Sequence, residues 1–164
     1  MMDAIEVLKT RRSIRAYTAE PIARNIIEDI VDCGRLAATA RNEQPCEFVV
    51  VTDKDMRATL AGLAPNGLFI ADAPVCIVVL ARNGTYYLED GSAATQNLLL
   101  AARAHGLGSC WVAGDKKPYA AQVLQLLNAP DGYKLVSMVT IGHSTAQPQP
   151  VKRGLREVLH WDRF

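Results

Sequence analysis

The sequence predicts a single domain, residues 1–164, in which helices and short buried strands alternate. Three observations carry that expectation. Apolar residues recur at helical spacing in five stretches bounded by Asp, Pro or Gly. Apolar runs of strand length stand at 47–51, 75–80 and 135–141, with a shorter one at 110–112. No repeat, linker or low-complexity tract divides 164 residues that are 49% hydrophobic and 21% charged, enough to close a core of ordinary size.

Taken in order, Asp3 is placed to cap a first helix with Ala4, Ile5, Val7 and Leu8 inward. Pro21 is expected to open a second, whose stripe is Ile26, Ile27, Ile30, Val31, Gly34 and Ala37. The polar loop 38–45 then enters the first strand. Asp53 caps a helix carrying Met56, Leu60 and Leu63, Pro65-Asn66-Gly67 breaks it, and 68–71 read as one more turn. After the strand 75–80, Asn83-Gly84 precedes a long helix over about 90–105 with a small-residue face of Ala93, Ala94, Asn97, Leu98, Ala101 and Ala102. Gly106 and Gly108 end it. A short strand 110–112 follows, then a helix expected to be capped by Asp115 with Pro118 in its first turn, the strand 135–141 and a proline-punctuated tail.

Composition excludes several functions. Formal net charge is +1, so no strong overall field draws the chain to nucleic acid or to an anionic membrane. Cys33, Cys46, Cys76 and Cys110 form no CxxC pair and have no His at ligand spacing, which predicts no metal site. The first three fall in apolar runs and read as reduced core thiols. With no signal-peptide pattern ahead of the first helix and no apolar run long enough to span a bilayer, a cytoplasmic protein is expected.

The chemistry-bearing stretch is Arg11-Arg12-Ser13-Ile14-Arg15, three guanidiniums and a hydroxyl within five residues. Guanidinium forks match phosphate oxygens bidentately. It follows a helix C-terminus, where the helix dipole disfavours anions, so a phosphate held there needs side-chain charge. Taken alone, such a cluster is more often a solvated basic turn. Asn42 and Gln44 lie in a loop between a buried helix and a buried strand, where scaffolds present polar groups to ligands, though a plain connection is equally consistent. Ala113-Gly114 offers backbone that a planar ligand could approach. A basic pair, Lys152 and Arg153, stands near the end.

Four segments in register, RRSIRAY, ATARNEQP, GSAATQNLLLAARAHGLGSCWVAG and IGHSTAQPQPVKRGLREVLHW, resemble the nitroreductase superfamily of flavin enzymes over nearly the whole chain. The resemblance implies an α+β fold with a small central mixed sheet flanked by helices, an obligate homodimer, and one FMN in each of two interface clefts. It implies that Arg11, Arg12, Ser13 and Arg15 hold the FMN phosphate and the polar edge of the ring, with Arg15 near the pyrimidine carbonyl. Asn42 and Gln44 would reach the flavin from the partner, Ala113 and Gly114 would set a backbone N–H against the ring nitrogen that receives hydride, Asn66 would touch the ring, and Arg153 with Lys152 would meet the phosphate. Cys46 stands where the family often has Trp, and Ala38-Thr39-Ala40 replaces a commonly serine-rich run. The connection 82–89 is short where larger members insert a cover.

The implied activity is FMN-dependent reduction of nitroaromatics, quinones or similar flat acceptors by NADH or NADPH in ping-pong fashion, with no catalytic side chain. His105, His143 and His160 are not among the positions that the resemblance carries onto the flavin and are expected to be structural or surface residues. A non-catalytic flavin carrier, a specialised family activity such as dehalogenation or flavin destruction, and an RNA-binding domain built on the basic cluster are the alternatives. Near-neutral charge and the absence of aromatics among the arginines weigh against RNA.

Overall fold

A computed structural model describes residues 3–164. Four strands, β1 (Cys46–Val51), β2 (Val75–Arg82), β3 (Gly108–Ala113) and β4 (Tyr133–Gly142), form one sheet in the order β1-β2-β4-β3. Five helices flank it: α1 (Ala4–Thr10), α2 (Arg24–Arg35), α3 (Lys54–Leu63), α4 (Tyr87–Ala104) and α5 (Ala120–Leu126). The architecture is α+β, as expected, with one correction. Every pairing between the four strands is antiparallel, and parallel pairing is confined to an isolated bridge between Ser13 and Ser109, so the expected mixed sheet is an antiparallel one.

Both faces of the sheet are covered. Ile77, Val79, Val139 and Ile141 pack beneath Ile27 and Ile30 of α2 and Leu98 and Leu99 of α4. Cys76, Val78, Leu80 and Met138 pack against Leu60 of α3, Ile70 and Val123 of α5. That is why β2 reads as a continuous apolar run: neither side of the pleat meets water. Small residues let the layers approach. A Cβ on Gly34 would stand 2.7 Å from Leu98 Cδ2, and one on Gly91 2.5 Å from Val136 Cγ2.

Local signals set some boundaries and not others. Asp3 and Asp53 cap α1 and α3 as expected, accepting from Ile5, Glu6 and Met56 backbone N–H groups. Pro21 does not open α2, which begins at Arg24 after an Ala23 that has no capping side chain. Asp115 does not cap α5. Its carboxylate accepts from Tyr87 Oη at 2.6 Å, and the helix starts only at Ala120, beyond Pro118. On α1 only Val7 is buried, while Ile5 and Leu8 face outward. Cys76 and Cys110 are buried, but Cys33 and Cys46 are half-buried, unlike the core placement expected of them.

Candidate functional site

The arginine stretch becomes a fifth, edge-like segment beside the four strands. Leaving α1, residues 11–15 run along the free side of β3, where the Ile14 N–H donates to the Ser109 carbonyl at 2.9 Å and Ser13 bridges Ser109. Tyr17 fixes the segment from beyond, its hydroxyl bonded to the Ile14 carbonyl and, at 2.7 Å, to Thr140 Oγ1 of β4. Burial raises the Tyr17 phenol far above its ordinary range, so it stays protonated and able to donate. Alternation along an extended segment sends Ile14 into the core and leaves its neighbours free for polar work.

Two cavities flank this segment. The first, about 320 Å³, is lined by Arg11, Arg12, Arg103, Ser109 and the tail residues Gln147 and Gln149. Three guanidiniums thus share one space. Arg12 Nη1 is engaged by the Lys9 and Arg11 carbonyls at 2.9 Å, but its Nε is buried without a partner, as is Ser109 Oγ. Buried donors left unbonded are uncommon and call for an acceptor. An oxyanion in this cavity supplies one, which is the fit a phosphate requires.

The second cavity, about 190 Å³, is lined by Arg15, Asn66, Phe69, Cys110, Trp111, Ala113, Lys117 and Tyr119. Arg15 sits 5.9 Å from the centre of the Phe69 ring, within cation–π range. Burial raises the Cys110 thiol, against the opposing pull of Arg15, Ser13 and Arg11, so it is a neutral wall rather than a nucleophile. Arg15, Asn66 and Ala113 are therefore brought together, with Arg11 and Arg12 at the other end of the same segment.

Other expected residues are placed elsewhere. The Gly114 N–H donates to the Val136 carbonyl at 3.1 Å and is not free to face a ring. Lys152 and Arg153 are exposed and line neither cavity; Arg153 Nη2 donates to the Glu157 carbonyl at 2.8 Å. Asn42 and Gln44 sit beside β1, at the opposite edge of the sheet from β3, roughly 14 Å away at the usual strand spacing. Their loop holds Arg41, Asn42 and Gln44 at φ 54°, 57° and 48°. Left-handed backbone at non-glycine residues costs free energy and tends to collect at functional loops. Asp90, buried in α4, fixes the loop by accepting from the Ala40 N–H at 2.9 Å.

Arg103, Ser109, Phe69 and Lys117 were not singled out from the sequence. Arg103 lies in the last turn of α4, the turn that feeds the glycine pair, and Lys117 lies in the turn after Gly114; both positions adjoin stretches the sequence does mark. His105 pairs with Asp29 at 2.6 Å, His143 lies 3.8 Å from Glu20 and His160 stacks on Phe164, all outside the two cavities. Among the described residues there is no cluster able to hold a metal and no helix long and apolar enough to cross a membrane.

Comparison with known proteins bears on the family and the fold. The profile of the Nitroreductase family matches residues 8–72 and 63–143. A Methanothermobacter thermautotrophicus protein provisionally named NADH dehydrogenase/NAD(P)H nitroreductase is 31% identical over 99% of this chain and 86% of its own length. An NADPH-flavin oxidoreductase of Vibrio harveyi is 30% identical over 91% of this chain and 69% of its own. The solved structure of an FMN-dependent nitroreductase from Clostridium difficile R20291 superposes with a TM-score of 0.91 at 27% identity, covering 98% of this chain and 99% of that one. With the profile running through the arginine segment, the sheet and the β3 turn, this chain belongs to the nitroreductase family.

Proposed function

We propose that this chain is an FMN-dependent oxidoreductase that takes reducing equivalents from NADH or NADPH and delivers them to flat acceptors such as quinones and nitroaromatics. The observation that carries the reading is the pair of cavities on one segment: a guanidinium-lined end with two orphaned buried donors, and a ring end under Arg15. The names of the relatives support the same chemistry.

When bound, FMN supplies the two-electron chemistry, accepting hydride and passing it on. The chain's contribution is placement and charge. Arg11, Arg12 and Arg103 would neutralise the phosphate, with Ser109 Oγ as a further donor, while Ser13 lines neither cavity. Arg15 would set a permanent cation beside the ring, an electrostatic role that needs no proton transfer. Asn66 orients the ring's polar edge, and Trp111 and Phe69 wall it with apolar surface. No side-chain acid or base is called for, and nicotinamide and acceptor would use the one open ring face in turn, which would give ping-pong kinetics.

A cavity of about 190 Å³ is smaller than the roughly 300–1,000 Å³ of ordinary ligand sites, so the ring needs further walls. A second copy supplies them in this reading, bringing the Asn42 and Gln44 loop from the far sheet edge, with Lys152 and Arg153 delivered on the exposed tail. Ile5 and Leu8 of α1, and Leu155 and Trp161 of the tail, are exposed apolar residues that such a dimer covers. The tail residues 144–149 border the phosphate end and not the ring end, so one chain leaves the acceptor face open. Discrimination among acceptors is then weak, since apolar contacts separate substrates by only about 1–3 kcal/mol per group.

The testing variant is Arg11→Ala. Loss of one charge-assisted phosphate contact is expected to weaken FMN binding about tenfold to a hundredfold at moderate salt. Unchanged affinity removes the arginine segment from the site. Protein that is yellow as purified but is not bleached by NADH or NADPH overturns the enzymatic reading in favour of a carrier.

A further inference from the structure

Away from both flavin-facing cavities lies a third, about 540 Å³, between residues 19–22, the start of α3 and residues 71–75. It shares no lining residue with the other two. Its polar wall holds Lys54, Arg57, Thr52 and Asp72, and the rest is Pro21, Ile22, Ile27, Pro74 and Val75.

Arg57 is the unusual member. It is only 9% exposed, and among the described residues no carboxylate lies within ion-pair distance of it, Asp72 included. Nη1 donates to the carbonyls of Ala71 at 3.3 Å and Ala73 at 2.6 Å, while Nε is buried with no partner at all. Carbonyl dipoles satisfy hydrogen bonds but do not neutralise a charge, and a buried unpaired cation is strongly disfavoured. Lys54 adds a second unpaired cation at the first turn of the ten-residue α3, so the lining carries two positive charges against the single exposed Asp72.

We propose that this cavity binds the oxyanion of a small amphipathic ligand, a carboxylate or phosphate carried on an apolar body. Arg57 and Lys54 hold the anion, and Ile22, Ile27 and Val75 receive the apolar part. The proposal does not depend on the flavin reading. Because Arg57 also grips the carbonyls just after Phe69, occupancy bears on the segment that walls the ring end.

The test uses the FMN-supplemented full chain and two-dimensional amide NMR with three probes: hexanoate, hexyl phosphate and, as the uncharged control, hexanol. At least one of the two oxyanions is expected to shift the Met56, Arg57 and Asp72 amides saturably, with hexanol weaker by about tenfold or more. The tighter of the two identifies the headgroup. Lys54→Ala, at an exposed position, is expected to weaken binding about tenfold, and Arg57→Gln to abolish it. Equal binding of hexanol, unchanged affinity in Lys54→Ala, no shifts from either anion, or shifts confined to Arg15 and Ala113 overturns the proposal.

Discussion

The β2–β4 centre and the tail beyond Gly142 both carry large apolar residues and put them to opposite uses. Ile77, Leu98 and Met138 are fully buried by their own chain from both faces of the sheet, whereas Trp161 is 80% and Leu155 71% exposed. A chain that can cover its centre so completely and yet leaves a tryptophan in water has not run short of core. The tail begins against its own chain, with Ser144 Oγ donating to the Ala16 carbonyl, but residues 151–164 are exposed throughout. In the dimer proposed above the two regions would answer to different equilibria, folding for the centre and association for the tail.

That separation can be broken by substitution. Leu98→Ala, removing a side chain that fills the space over Gly34 and the sheet, is expected to destabilise folding by about 2–5 kcal/mol, read as a shift in urea midpoint that does not depend on protein concentration. Trp161→Ala is expected to leave the folding of an isolated chain nearly unchanged and to weaken the dimer, with up to roughly 2–3 kcal/mol of burial lost. Analytical ultracentrifugation over a dilution series reads it. If Trp161→Ala shifts the urea midpoint at every concentration equally, the tail packs on its own chain and the contrast collapses. Gly91→Ala probes the centre from its tightest side. The new Cβ meets Val136, whose branched side chain has few rotamers to yield with, and a cost of about 1–3 kcal/mol is expected from urea titration.

How much of this was legible in the sequence follows from how local each signal is. Asp53 caps α3 because the N–H it needs is three residues away, and the run at 75–80 is a strand because two-sided burial leaves its mark on every residue. The start of α2 was misread because Pro21 is a local signal, whereas the helix is held by packing on α4 and begins at an uncapped alanine. The mixed sheet came with the resemblance and not from the strands themselves, since an apolar run records burial and not pairing. At the candidate site, the arginine cluster including Arg15 is marked by its own composition, whereas the role expected of Asn66 came only with the resemblance. Arg103, Ser109 and Lys117 become visible only when β3 lies against the arginine segment, since each sits in an element whose periodicity explains it adequately. Lys152 and Arg153 were readable as a basic pair, but their place depends on where the tail goes.

The smallest expected effect tests the joint between the layers. Tyr87, the first residue of α4, donates its hydroxyl to Asp115 Oδ1 at 2.6 Å, in the turn between Ala113 and Lys117, which both line the ring-end cavity. The sequence assigned Asp115 a local capping role, and the structure gives it this long-range one instead. Its carboxylate is 15% exposed, and the nearest cation, Lys116 Nζ, is 3.8 Å away, so the phenol is its short contact. Tyr87→Phe is expected to cost about 1 kcal/mol, the usual worth of one such bond. The bond to Asp115, more than burial, raises the Tyr87 phenol above its ordinary value of 10.0. A raised folded-state value means the contribution is fully present below the unfolded pKa and is lost as pH rises through the folded one. The stability gap between wild type and Tyr87→Phe should therefore be flat from about pH 6 to 9 and shrink above about pH 10. Urea titrations at pH 7 and near pH 11 check it. A gap near zero at pH 7 means the turn is held by its backbone bonds to Val136 alone, and a gap that persists undiminished near pH 11 means the hydroxyl matters for packing rather than as a donor.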